Sequence, residues 1–432
     1  MRTVTAACAT LVIVLTLIVS AQTPAPAPAD QPTSVSGCLT ATRAFRQARM
    51  KEAGTPLARE KYDAILRDKV AFAKACLGRL PVDTLPAADL GPLAELYIEA
   101  DQPDLAEKTI TKAIDAPGAD PAVRATTLVT AVRLTMRQPI SGARNARAEQ
   151  LVDQIEALPA SFVRERIDGH ASLNSYYRAD DIDAGIIKHS TRLIEMNKTL
   201  TPEQRVPAIA NTLIAAYENL AEALAGQEQN DKALDVLRRA PMELAGVAGV
   251  AERIQPVLER YQLVGAPGAA IQAPTWLNAP AGTTKIDMKG SVTWLQFTAH
   301  WCGPCRESYP AVGRMLQQFG AKGFGVVMAT QFYGYFENRR NLAPADELAA
   351  ITEYFPKHGI IVPIAVADNI PPGTENGKTV RTVNVNDASY KVGGIPQIQL
   401  IDKKGNIRLI MVGFDEANEA KMAALIERLL KE

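Results

Sequence analysis

Residues 291–320, SVTWLQFTAHWCGPCRESYPAVGRMLQQFG, constrain the fold more than any other stretch. An apolar, strand-like run ends in two cysteines separated by Gly303 and Pro304, and a helical pattern follows at once. Such a chain places Cys302 at the end of a strand and the start of a helix. The free N–H groups and dipole of a helix N-terminus stabilise an anion. They therefore lower the pKa of Cys302 and raise its thiolate fraction. The thiolate is the species that attacks a disulfide. Cys305, one turn further in, is expected to be less exposed and to resolve a mixed disulfide by attacking Cys302. Gly303 and Pro304 allow the tight turn, with Pro304 fixing φ in the first helical turn. Trp301 offers a flat apolar flank to a docking partner. Pro310 lies inside the helix and is expected to bend it.

A redox couple, a metal site and two buried thiols are all open readings of such a pair. A structural zinc needs four ligands. The chain has no second C-x-x-C, and its four histidines are scattered. No metal site is expected.

Around the pair, strands alternate with helices. GFGVVMATQF is a strand, ADELAAITEYFPKHG a helix and IVPIAVAD a strand. IPQIQLIDKKGNIRLIMVG reads as a hairpin turning at DKKGN, and ANEAKMAALIERLLKE closes the chain as a helix. VGAPGAAIQAPTWLNAP marks where this pattern begins. Two stretches look like insertions, QFYGYFENRRNLAP (331–344) and NIPPGTENGKTVRTVNVND (369–387). Either is a surface loop by default, or a rim of the active site.

Upstream, residues 38–265 read almost wholly as helix. Ala41, Ala44, Phe45 and Ala48 follow a helical stripe, as do Tyr62, Ile65, Leu66, Ala73 and Cys76. Gly54-Thr55-Pro56 separates the two helices. Cys38 opens the first and Cys76 closes the second, so an antiparallel hairpin would bring them together. A Cys38–Cys76 disulfide is expected, contributing ~4 kcal/mol for a loop of that length; two unpaired buried thiols are the alternative. Further helix pairs begin near Asp89, Pro121, Ser161 and Thr201. The last three are spaced by about 40, the pair from Asp89 being shorter, and the pattern loosely resembles a tetratricopeptide-type solenoid. Such a segment offers a concave partner-binding surface, or is an irregular bundle that spaces or covers the next domain.

The N-terminus bears on the compartment. MRTVTAACATLVIVLTLIVSAQ carries Arg2, then no charge until Asp30. Residues 1–21 read as a secretory signal peptide cut after Ala21; an uncleaved anchor is the alternative. Both export the rest of the chain. Residues 22–37 form a Pro/Ala-rich, extended linker. Lys+Arg and Asp+Glu both number 47, and this balance argues against bulk nucleic-acid binding. The fold class is therefore multidomain: an all-α, hairpin or repeat-like part at 38–265, then an α/β domain at 268–432.

WCGPC, YKVGGIPQIQLIDKKGNI and APTWLNAP resemble the thioredoxin fold, and within it the exported TlpA-like thiol-disulfide oxidoreductases. The resemblance covers roughly residues 268–432 and not the helical half. It implies that Ile395–Pro396 is a cis peptide facing the cysteine pair, with Ile395 offering backbone groups to an incoming chain. It implies a redox-active disulfide in place of a cofactor, protein disulfides as substrates, and location in the periplasm or cell envelope. The GP dipeptide resembles reducing members, some of which serve cytochrome c maturation. A membrane thiol donor of the DsbD or CcdA kind would then supply electrons. An oxidase or isomerase using the same couple stays open, as does an envelope scaffold acting through the helices. One position departs from the family. Gln296 stands where thioredoxin has a buried acid, and an amide cannot act as general acid or base. His300 is unusual beside the motif: if protonated it would depress the Cys302 pKa further, and otherwise it is a partly exposed loop residue. Glu307 and Asp368 are candidate proton acceptors or ordinary surface carboxylates.

Overall fold

A computed structural model describes residues 32–54, 59–116, 120–369, 373–375, 378–380, 383–415 and 417–432. The expected signal or anchor, and residues 22–31 of the expected linker, lie outside the described residues.

The first helix, α1 (Val35–Ala53), begins inside that linker. Ser34 caps it, its hydroxyl accepting from Gly37 N at 3.1 Å. A serine side chain satisfies a helix-terminal donor that no backbone carbonyl can reach, so helix replaces the expected linker from Val35 on rather than from residue 38. α2 (Arg59–Leu77) and α3 (Ala87–Glu99) follow. Cys38 and Cys76 are fully buried and joined by a disulfide, with Cα atoms 5.9 Å apart. Phe45 stacks on Phe72 at 5.0 Å between the same two helices.

After α4 (Pro103–Ile114) come α5 (Pro121–Met136), α6 (Gly142–Glu156), α7 (Val163–Ala179), α8 (Asp183–Asn197), α9 (Pro207–Gly226), α10 (Asn230–Glu243) and α11 (Val250–Tyr261). Each helix from α7 to α11 packs on the next, as α5 does on α6, and α5, α7 and α9 also pack in sequence. Between α6, α7 and α8 a buried chain of polar groups lies among the apolar side chains. His170 Nδ1 and His189 Nδ1 share a hydrogen bond of 2.7 Å. Their outer nitrogens bond to carboxylates, His170 Nε2 to Glu156 at 2.8 Å and His189 Nε2 to Glu149 at 3.0 Å. Arg192 holds Glu156 through two bonds, and Lys188 pairs with Glu149.

The chain then turns α/β: β1 (Ile271–Gln272), β2 (Thr275–Leu277), β3 (Lys285–Ile286), β4 (Val292–Phe297), α12 (Gly303–Phe319), β5 (Phe324–Gln331), β6 (Tyr335–Phe336), β7 (Arg339–Arg340), α13 (Pro344–Lys357), β8 (Ile364–Ala367), β9 (Gly373–Glu375), β10 (Lys378–Val380), α14 (Val385–Ser389), β11 (Gln397–Ile401), β12 (Ile407–Val412) and α15 (Ala417–Lys431). The main sheet has the order β12-β11-β4-β5-β8-β2. β4, β5 and β8 are parallel, and β11 joins β4 antiparallel.

Every residue of β4 is buried, as a central strand covered on both faces requires. Trp294, Met328, Ile398 and Leu400 pack with residues of α12 and α15, including Val312, Met315 and Ile426. Leu295, Phe297, Val327 and Ile410 belong to a second core that also holds Tyr217, Leu237, Ile254 and Tyr261 of the helical segment. The helices thus supply part of the cover for this face of the sheet, and α9 packs directly on β12. Lys421 of α15 reaches Asp181 at 3.1 Å and Asp183 at 3.0 Å. This shared core explains where the chain divides by compactness. The division falls between Thr109 and Ile110, whereas the change from helix to α/β pattern falls near 265–268.

Candidate active site

β4 ends at Phe297, and five residues later Cys302 caps α12. Cys302 and Cys305 form a disulfide with Cα atoms 5.2 Å apart. Cys302 is 3% exposed and Cys305 fully buried. The backbone N–H of Cys305 donates to Cys302 Sγ at 3.2 Å. A donor in this position stabilises negative charge on that sulfur once the bond is reduced. Pro304 occupies the first turn and Pro310 the interior of α12. Trp301 is 46% exposed, an unusual state for so large an apolar side chain.

Ile395–Pro396 is cis. The pairing of Gln397 with Phe297 places Pro396 alongside the residue after β4, at the end of the sheet that carries the cysteine pair. Gln397 Nε2 donates to Tyr390 O at 2.8 Å, and Gln397 Oε1 accepts from Gly393 N at 3.3 Å, which fixes the loop leading into the cis bond. Ile395 is partly buried between both cores.

His300 differs from both expectations. It is 5% exposed, so it is not a partly exposed loop residue. Burial lowers its pKa to about 4, with nearby Arg340 pushing the same way, so it carries no charge at neutral pH. It cannot depress the Cys302 pKa as a cation. The burial comes from residues 331–344. Tyr333, Tyr335 and Phe336 surround the imidazole at 5.7, 5.3 and 4.9 Å between ring centroids. Tyr333 also meets Trp301 edge-on at 5.5 Å. The insertion is therefore a short β6–β7 hairpin packed against the two residues that precede Cys302. Arg340 lies over Tyr335 and Arg339 over Phe336.

Glu347 is the functional neighbour that sequence reasoning missed. It is 1% exposed, and its two oxygens accept from Tyr333 N at 2.8 Å and Gly334 N at 2.7 Å. Its Oε1 lies 3.9 Å from His300 Nε2. In the sequence Glu347 reads as an ordinary first-turn acid of α13, next to Asp346. Only its partners, met through the fold, distinguish it.

Gln296 is fully buried. It accepts from Trp294 Nε1 at 3.1 Å and donates to Ser308 Oγ at 2.9 Å, and Ser308 in turn donates to Cys305 O at 2.7 Å. The place of an acid is taken by a neutral network that ends at the backbone of the second cysteine. Glu307 and Asp368 are exposed. Among the described residues no group of histidine, cysteine and carboxylate side chains could hold a metal ion. The second insertion lies partly outside the described residues.

A buried cysteine pair at a helix N-terminus, beside a cis proline on the same end of a mixed sheet, is a thioredoxin-like arrangement. No protein-family model and no curated protein matches the chain. Several solved structures do. A Chlorobium tepidum protein assigned as a thiol:disulfide interchange protein, DsbE, aligns at 24% identity with a TM-score of 0.29, over 39% of this chain and 97% of its own. The thioredoxin domain of a thiol-disulfide oxidoreductase from Bacteroides vulgatus aligns at 17% identity with a TM-score of 0.27, over 39% of this chain and 97% of its own. A thioredoxin family protein from Chlorobium tepidum TLS, named as a thiol:disulfide interchange protein, aligns at 19% identity with a TM-score of 0.27, over 39% of this chain and 96% of its own.

Proposed function

We propose that this protein is an exported thiol-disulfide oxidoreductase of the thioredoxin, TlpA-like kind, which reduces disulfides of other proteins in the periplasm or cell envelope. The observation that carries this reading is the Cys305 N–H aimed at Cys302 Sγ at the head of α12, next to the cis Ile395–Pro396 bond.

In the reduced form the Cys302 thiolate attacks one sulfur of a client disulfide. The client S–S bond breaks, an S–S bond to Cys302 forms, and the displaced client sulfur leaves as a thiolate. Cys305 then attacks Cys302 Sγ. Its proton goes to a departing client thiolate, because Gln296 cannot accept one. The second client thiolate takes its proton from solvent, so the client leaves with two thiols and the site is left as the disulfide. Two electrons and two protons must come back from a dithiol donor, for which a membrane thiol transporter is the proposed source. Trp301 and the backbone around Ile395 flank the client during attack.

The first experiment is the reduction potential of the Cys302–Cys305 couple, in protein carrying Cys38→Ser and Cys76→Ser, equilibrated with thiol buffers. A value at or below about −250 mV supports a reductase, and a value near about −120 mV reverses the direction of electron flow. Cys305→Ser should trap a mixed disulfide with client protein, and Cys302→Ser should trap none. An envelope scaffold that works through its helices would keep its function in both variants.

A further inference from the structure

Two residues of the helical segment meet the loop that leads into the cis bond. Arg260, in the last turn of α11, donates from Nε to Lys391 O at 3.2 Å. Its neighbour Glu259 pairs with Lys391 Nζ at 3.0 Å. Lys391 has a φ of 50°, in the left-handed region that a lysine enters only when its surroundings hold it there. Two residues on, Gly393 lies so close to the Arg260 guanidinium that an added Cβ would stand 2.0 Å from it. Val392 and Ile395 pack against the core that the helices share with the sheet. The segment braced in this way, Lys391 to Ile395, leads straight into the cis bond.

We propose that Arg260 is a positioning residue: from the helical segment it sets the loop 391–395 against which a client chain docks. The physical reason is preorganisation. A loop held in its docking shape before the client arrives does not have to be ordered on binding, and that ordering would otherwise weaken the complex. The bond is to a backbone carbonyl, so it fixes the loop whatever side chains the loop carries. This gives the helices a part in client recognition without any contact between them and the client. The proposal rests on the redox reading above.

The test uses the full chain in its reduced form with two substrates: a short peptide cyclised by one disulfide, and 4,4′-dithiodipyridine, a neutral disulfide too small to span the loop. Arg260→Met keeps the packed stem and removes the donor, and Arg260→Lys restores a donor. Arg260→Met should lower kcat/KM for the peptide about tenfold, nearly all of it in KM. Its effect on the small disulfide should stay within about twofold, and the reduction potential should not move. Arg260→Lys should recover much of the peptide KM. An unchanged peptide KM in Arg260→Met would overturn the proposal. So would an equal loss on both substrates together with a shifted potential, which is the signature of general damage. Should wild-type protein reduce neither substrate, the redox reading itself falls and takes this one with it.

Discussion

Glu347 directs both carboxylate oxygens at backbone N–H groups of the segment that buries His300. Removing a buried acceptor leaves its donors unpaired, which costs more than the bond was worth. Glu347→Ala should therefore destabilise the protein by about 3 kcal/mol in urea unfolding. It should also speed proteolytic cleavage within residues 333–343, while Glu347→Gln, which keeps one acceptor oxygen, should lose less. A wild-type cleavage rate in the alanine variant would show that the hairpin is held by its aromatic contacts alone. The cysteine pair and Trp301 were legible in the sequence because their signals are local, a strand, two cysteines and a helix start, whereas the cis bond at Pro396 came only from the family resemblance. His300 and Glu347 were not legible, because their states are set by partners 13 to 47 residues away in the chain, and no periodicity records such partners.

The α6–α7–α8 layer holds two histidines and two carboxylates beside its buried leucines and isoleucines. Burial lowers the pKa of His170 to about 4, despite the Glu156 carboxylate that pulls it upward. The unfolded chain protonates the same histidine near 6.5. Between those values the unfolded state holds the extra proton, so stability rises with pH and is lost as pH falls from about 6.5 to about 4. His300 titrates in the same window for the same leading cause. Each contributes up to about 1.4 kcal/mol per pH unit there. Glu156, whose pKa is lowered to about 2 chiefly by Arg192, adds a further loss only below about pH 4.5. Urea unfolding midpoints at pH 7, 6, 5 and 4 read this directly, and a flat profile above pH 5 would contradict it. The helices themselves were visible as stripes and breaks; the starts at Pro121 and Val163 match the positions read from sequence to within two residues, while α9 begins at Pro207 rather than at Thr201. The start of α1 differs from the reading for a physical reason: Cys38 reads as the opening of the helix, while Ser34, the actual cap, lies at the end of a stretch whose prolines suggest extended chain.

The boundary at residues 265–268 is a change of pattern and not a seam. Both faces of β4 had to be covered, as its unbroken burial shows, but nothing in a strand's composition says which helices cover it. Because Tyr217, Leu237 and Tyr261 share a core with Phe297 and Ile410, a fragment of residues 268–432 alone should leave that face bare. It should aggregate or bind hydrophobic dyes, while a fragment of residues 110–432 stays monomeric and folded. All three tryptophans, Trp276, Trp294 and Trp301, lie in the α/β segment. The helices from α5 to α11 contain none. Trp276 packs against the common core, so its fluorescence becomes a gauge of helices it does not belong to. In the intact chain its thermal transition should coincide with the main loss of helical circular dichroism. The light from one indole would then count the melting of more than a hundred residues upstream.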